Sequence, residues 1–508
     1  MRTSDSRTPQ GGDDDDVVVV VVDPTVGTTR TDVPGGVVPD GDAPRGDSTR
    51  VGAPAAGDPA PVPRSRIIFA SLIGTTIEFY DFYIFATAAV SVFPLLFFAG
   101  GDAGTALLAS MATFGTAFIA RPLGSIIFGH YGDRLGRKVT LVGALLTMGI
   151  ATFLIGLLPT IHQIGLWAPA MLTIMRFFQG IGLGGEWSGA ALLAAETAKP
   201  GKRAFAAMWP QLGAPFGFIL ANGIFLLLTT WFAYDSTSAD LSDPFLTWGW
   251  RVPFLLSIVM VGVGLYVRLR IEETPVFAKA IAQNERVKSP VGEVFRKNWW
   301  EIILGTFIML ATYGLFYLMT TWILSFAIGG EGTGGLGYGY QSFLILQVVA
   351  ILLFAAFIPL AGYLADRFGR RRMLITTTVG IILFGLSFGW WLSPEAMGTG
   401  DGLDVARMLG FLCVGMALMG LTFGPMSAVL PELFPTNTRY TGSGVAYNFS
   451  AILGAALTPF VAVWLVQQFS VAYVGYYLVG LSVLTIISLI LAPETSKTSL
   501  YTGEANHQ

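Results

Sequence analysis

The sequence predicts an all-α polytopic membrane protein with twelve transmembrane helices in two six-helix repeats, and three observations lead there. Of 508 residues, 53% are hydrophobic and only 12% charged, whereas soluble domains carry about a quarter charged residues. Apolar runs longer than the roughly 18 residues needed to cross a bilayer recur along the chain. A charged pattern also occurs twice, after the second run and after the eighth. A soluble core cannot hide this much apolar surface, so the chain must meet lipid.

Residues 1–64 are rich in Asp, Pro, Gly, Thr and Val, with a run from Asp13 to Asp16 followed by Val17 to Val22. The valine run is too short to span a bilayer and lacks the basic start and cleavage site of a signal peptide, so the segment reads as a disordered cytoplasmic tail. From Arg66 onward, apolar segments separated by short polar breaks place helices at 67–92, 105–128, 139–158, 166–192, 204–230, 250–270, 300–327, 339–362, 373–392, 406–430, 438–466 and 472–492. Lys and Arg cluster at 134–138, 199–203, 268–297 and 367–372, which are alternate connections. The positive-inside rule makes those connections and both termini cytoplasmic, in the plasma (inner) membrane. The charged stretch within 272–298 then forms a central cytoplasmic loop between bundles at 65–271 and 299–493, with a cytoplasmic tail at 494–508.

Other function classes find little support. Cys413 is the lone cysteine, and His130, His162 and His507 are far apart, which argues against a disulfide or a metal cluster. No Walker-type nucleotide loop and no paired nucleophile and base stand out. The expectation is a non-enzymatic protein without cofactor or metal, whose partners are a small-molecule substrate, protons and the lipid bilayer. Neither nucleic acid nor an obligate protein partner is expected.

The repeated pattern is Gly129 to Lys138 (GHYGDRLGRK) and Gly362 to Arg371 (GYLADRFGRR), at equivalent places in the two halves, as parallel repeats require. The pattern resembles the signature loop of the major facilitator superfamily. More narrowly, EFYDF at 78–82, RPLG at 121–124, RFFQG at 176–180 with GGE at 184–186, WGWRVPF at 248–254, ETPVF at 273–277, PELFP at 431–435 and RYTG at 439–442 resemble the metabolite:proton symporter family. That family carries proline and betaine, shikimate, alpha-ketoglutarate and citrate. The resemblance implies that Asp133 caps and pairs across the interface between halves as a latch with Arg134 and Arg137. Asp366 and Arg370 in the second copy, with Glu432 and Arg439, are assigned to gating on the same ground. The basic residues also suit anionic headgroups.

Charges inside the spans are the candidate functional groups. Glu78 lies ~18 Å into a core ~30 Å thick, and Asp81 is one turn further on the same face. A charge at that depth costs ~2.5 to 3.5 kcal/mol if unpaired, so both carboxylates are candidate proton carriers or a permanent helix-pairing site. Arg176, ~15 Å deep from the other side, must face a carboxylate or a water-filled cavity. It either holds the substrate carboxylate, displacing Glu78 or Asp81 as that acid takes up a proton, or forms a structural ion pair. Gln179 shares its face. Arg121, ~12 Å from the cytoplasmic end, and Glu186 are mutual partner candidates, as gate or as structure. Tyr80, Tyr83, Gln211, Asn222, Tyr313, Tyr317, Gln347 and Asn448 either line a cavity or serve as interhelical glue.

The reading is an importer of a small organic acid or zwitterion by proton symport through alternating access. An uncoupled facilitator or exporter of the same fold, and a non-transporting receptor or scaffold, are the alternatives.

Overall fold

A computed structural model describes residues 64–135, 137–184, 201–234, 240–269, 290–330, 334–398, 404–435 and 438–495. Each expected membrane segment is helical over most of its described part. The helices are α1 (Arg64–Ser91), α2 (Ala103–Leu135), α3 (Arg137–Ile155), α4 (Trp167–Leu183), α5 (Arg203–Trp231), α6 (Arg251–Leu269), α7 (Trp299–Ile328), α8 (Tyr340–Phe368), α9 (Arg370–Leu386), α10 (Val405–Glu432), α11 (439–468) and α12 (Val471–Leu491). Among the described residues nine of them are long and apolar enough to cross a membrane, while α3, α4 and α9 are shorter in their described parts. The expected N-terminal tail lies outside the described residues.

Because these helices are apolar on every side, burial distinguishes them better than any stripe in the sequence does. The most apolar stretch of α7 is 89% buried, against 33% for α6, so α7 lies deep in the bundle and α6 faces lipid. A π-helical turn at Leu318–Trp322 interrupts α7, and another at Ala451–Ala456 interrupts α11. Pro122, Pro359, Pro425 and Pro431 lie within α2, α8 and α10, where each removes a backbone donor and favours a bend.

The helices that carry the buried arginines approach closely because glycine lets them. A Cβ on Gly180 would fall 2.2 Å from the carbonyl oxygen of Ala117, and one on Gly184 2.1 Å from that of Arg121. Backbone therefore meets backbone where α4 crosses α2, as small residues permit between membrane helices.

Two expected loops carry more structure than the sequence implied. The central connection ends in an amphipathic helix, Pro290–Lys297, whose Val294 is buried in a small cluster with Ile302, Phe434 and Ala446. The tail after α12 is pinned at its start: Glu494 accepts from the backbone N–H groups of Arg370 and Arg371, at 3.0 Å each, which caps α9 after Gly369 turns the chain with φ 93. At the opposite end of the bundle Asp102 accepts from the Thr105 N–H at 3.0 Å and hydroxyl at 2.7 Å. Those bonds hold its carboxyl below the usual range.

Gly180→Val is expected to destabilise the protein by about 1–3 kcal/mol through overpacking. Gly223→Ala, whose added Cβ meets nothing within 4 Å, should leave stability equal or raised. Thermal unfolding in detergent compares the two.

Candidate functional site

In the first half, α1, α3 and α4 bring a chain of polar groups together. Asp81 is fully buried, and its Oδ2 accepts from the Thr152 hydroxyl at 3.3 Å. Gln179 Nε2 donates to Thr152 Oγ1 at 2.9 Å and to the Asp81 carbonyl oxygen at 3.2 Å. Arg176 Nη1 donates to Gln179 Oε1, and its Nε donates to the Phe114 carbonyl oxygen at 3.3 Å. Asp81 Oδ1 and Arg176 Nη2 have no hydrogen-bond partner among the described residues.

The direct pairing considered for Arg176 with Glu78 or Asp81 is not seen among the described residues. The guanidinium lies in a cage of phenyl rings instead, 4.0 Å from the centre of Phe85, 4.9 Å from Phe114 and 5.0 Å from Phe82. Ring faces attract a cation electrostatically, and Gln179 with Thr152 stands between the cation and Asp81. The sequence reading missed this cage and Thr152. Phe82 and Phe85, one turn apart beside Asp81, were the available signal for the cage, whereas a lone threonine in an apolar helix announces nothing.

Arg121, 5% exposed, stands near the second half. Its guanidinium lies 5.0 Å from the Phe118 ring centre. It is within electrostatic reach of Glu78 and of Tyr447, Tyr313 and Tyr317, with a hydrogen bond between Arg121 and Tyr447. Glu186, its suggested partner, lies outside the described residues, as do the side chains of Asp133, Arg134 and Arg137.

Of the remaining candidates the Tyr83 hydroxyl has no hydrogen-bond partner among the described residues, and the others are engaged in hydrogen bonds between or along helices. Tyr80 donates to the Pro253 carbonyl at 2.8 Å. Asn222 accepts from Thr87 at 2.8 Å and donates to the Phe218 carbonyl at 3.3 Å. Gln347 donates to the Met319 carbonyl at 3.2 Å. Gln211 and Asn448 reach across the halves: Gln211 donates to the Phe423 carbonyl at 3.0 Å and Asn448 to the Ser125 hydroxyl at 2.8 Å.

At the basic end, Asp366 accepts from the backbone N–H groups of Ala204 at 3.1 Å and Phe205 at 2.9 Å. One half thus caps the first turn of α5 in the other, where N–H groups lack intrahelical partners and the helix dipole favours an anion. Arg370 lies 3.1 Å from Asp366 and 3.3 Å from Glu432, and Thr495 donates to Glu432 at 2.7 Å. Arg439 donates to the carbonyl oxygens of Pro431 and Phe434 at 3.1 and 3.3 Å. Ser427 adds a bond across the halves to the Ala207 carbonyl at 2.7 Å. At the other end Gln341 donates to the Tyr234 carbonyl at 2.7 Å and Gln467 to the Gly104 carbonyl at 3.3 Å. Hydrogen bonds between the halves thus bridge both ends. Between them, Phe79, Tyr83, Phe316 and Phe423 pack ring against ring, so the arrangement is occluded.

A bundle of this kind, with charges sealed at its middle, is that of a membrane transporter. Residues 71–453 match the family model of the Major Facilitator Superfamily, and the chain belongs to that superfamily. It is 51% identical over 437 residues to an inner membrane metabolite transport protein of Escherichia coli (strain K12), covering 86% of this chain and 96% of the relative. It is 34% identical to the shikimate transporter of the same organism, covering 85% and 95%. Among solved structures, the proton:xylose symporter XylE bound to 6-bromo-6-deoxy-D-glucose superposes with a TM-score of 0.64 at 17% identity, covering 86% of this chain and 97% of that one. The protein is a metabolite transporter of this superfamily, not an enzyme.

Removing the Asp366 cap should loosen the basic end. Loss of a cap costs about 0.5–2 kcal/mol, which changes a two-state ratio about 2- to 30-fold. In a Cys413→Ser background, Asp366→Ala is expected to speed thiol labelling of a cysteine placed at buried Met208 by that factor.

Proposed function

We propose that this transporter imports a small organic acid or zwitterion together with protons, by alternating access of its two six-helix halves. Its basic end and both termini face the cytoplasm of the plasma (inner) membrane. The observation that carries the reading is Asp81: a fully buried carboxyl group with one oxygen unpartnered and the other tied through Thr152 and Gln179 to Arg176. A titratable group held in this way can load a proton from one side and release it to the other as the halves rock. When Asp81 ionises, Gln179 relays the field of Arg176 to it through Thr152, because the amide accepts from the guanidinium and donates to the Thr152 hydroxyl, which donates to the carboxylate. Glu78, near Arg121, is the second proton carrier.

The relatives support the substrate class. A shikimate transporter matches along nearly its whole length, and a structural neighbour is a proton symporter. Gln211, Asn448 and Asp366 act as gates, since their bonds hold the halves together, and Arg370 and Glu432 brace Asp366 from its own half.

In proteoliposomes, adding shikimate or another small carboxylate outside should alkalinise the external medium. Asp81→Asn is expected to abolish that signal and reduce accumulation to equal concentrations on both sides, while exchange of labelled for unlabelled substrate continues. Wild-type flux with no pH change would identify a facilitator, and Asp81→Asn that still accumulates substrate on a proton gradient would remove Asp81 from coupling.

A further inference from the structure

Arg121 occupies a position that the coupling scheme leaves unused. Its guanidinium stacks 5.0 Å from Phe118, whose ring is 5.4 Å from Tyr317. Tyr317 lies parallel to Tyr313 at 6.2 Å and 16°, and Tyr313 is 5.4 Å from Tyr447. Arg121 Nε, on a buried residue, has no hydrogen-bond partner among the described residues, and the Tyr313 hydroxyl faces that of Tyr447. A permanent cation, three phenols and the nearby Glu78 carboxylate therefore converge between α1 and α2 of one half and α7 and α11 of the other.

Arg176 differs in one decisive respect. Its hydrogen bonds and ring contacts, to Gln179, Phe82, Phe85 and Phe114, come from its own half, so parting the halves leaves that cage intact. Parting the halves would instead separate Arg121 from its tyrosines and open the space between them. The π-helical turns in α7 and α11 begin just after Tyr317 and a few residues after Tyr447, and such turns often mark functional sites in helices.

We infer that Arg121 with Tyr313, Tyr317 and Tyr447 forms the subsite that takes the carboxylate of the transported solute, with Glu78 occupying the anion's place in the occluded form. A guanidinium suits a carboxylate through paired, charge-assisted hydrogen bonds. Phenol hydroxyls add neutral donors, and the ring faces suit the body of a small cyclic or aliphatic acid. Protonation of Glu78 would release Arg121 to the solute, so solute and proton enter as a neutral set. This assignment rests on the proposed reading that the solute carries a carboxylate, and it moves the contact from Arg176 to Arg121.

The test is counterflow exchange in proteoliposomes, with labelled shikimate and small mono- and dicarboxylates competed by each acid and by its carboxamide. The wild type should prefer acid over amide. Arg121→Gln should reduce that preference about 10- to 100-fold, the worth of a hydrogen bond to a charged group. Tyr313→Phe and Tyr317→Phe remove one hydroxyl at nearly constant volume. They should raise the half-saturating acid concentration several-fold, leave maximal exchange unchanged, and decide the matter if Arg121→Gln does not fold. Full acid preference and unchanged half-saturation in these variants, with the preference lost in Arg176→Gln, would overturn the subsite and leave the symport reading standing. A wild type that exchanges none of the acids and no carboxylate zwitterion such as proline or betaine would overturn both.

Discussion

The bilayer core cannot solvate a charge, and the interior of this protein is arranged around that constraint. Arg121 and Arg176 are buried, and an arginine does not shed its proton. Each must find compensation inside the protein. Arg176 obtains it from three phenyl faces, a carbonyl oxygen and Gln179. Arg121 obtains it from Phe118, the field of Glu78 and phenols supplied by the other half. The two cations therefore differ: Arg176 takes its hydrogen bonds and ring contacts from a single bundle and only the field of Tyr317 from the other, whereas Arg121 sits at the junction of two.

That difference is what a moving part requires. A charge whose partners all lie in one rigid body is indifferent to rocking of the halves, whereas a charge shared across the junction loses partners whenever the halves separate. Exposure of a polar site then coincides with entry of water or solute. The Gly180 and Gly184 contacts keep α4 pressed to α2, which fixes the spacing of the two arginines within the first half.

The ends are closed by bonds of a different sort. Asp366 caps a helix in the opposite half, and single hydrogen bonds such as Gln341 to Tyr234 close the far end. The cap is worth about 0.5–2 kcal/mol and a neutral hydrogen bond about 0.5 to 1.5 kcal/mol net. Modest, separable contacts of this size suit the proposed opening at either end without unfolding. Arg370 is held between Asp366 and Glu432, and Glu494 ties the chain after α12 to the same loop, so this loop is braced from three directions within its own half.

Composition alone determined that the chain lies in a membrane, because 12% charge and recurring apolar runs leave no other solvent for its side chains. The repeated loop determined the two-half plan, since a duplicated pattern at equivalent places requires equivalent halves. The depth of Glu78, Asp81, Arg121 and Arg176 followed from helix rise. Which of these faces which did not, because helices that are apolar all round carry no stripe to set their rotation. Only the tertiary structure placed Gln179 and Thr152 between Arg176 and Asp81, turned Arg121 toward Tyr447, and made Tyr80 and Asn222 bonds between and along helices. Partner choice in a bundle is decided by how helices rotate and cross, and that geometry comes from the packing of many residues at once.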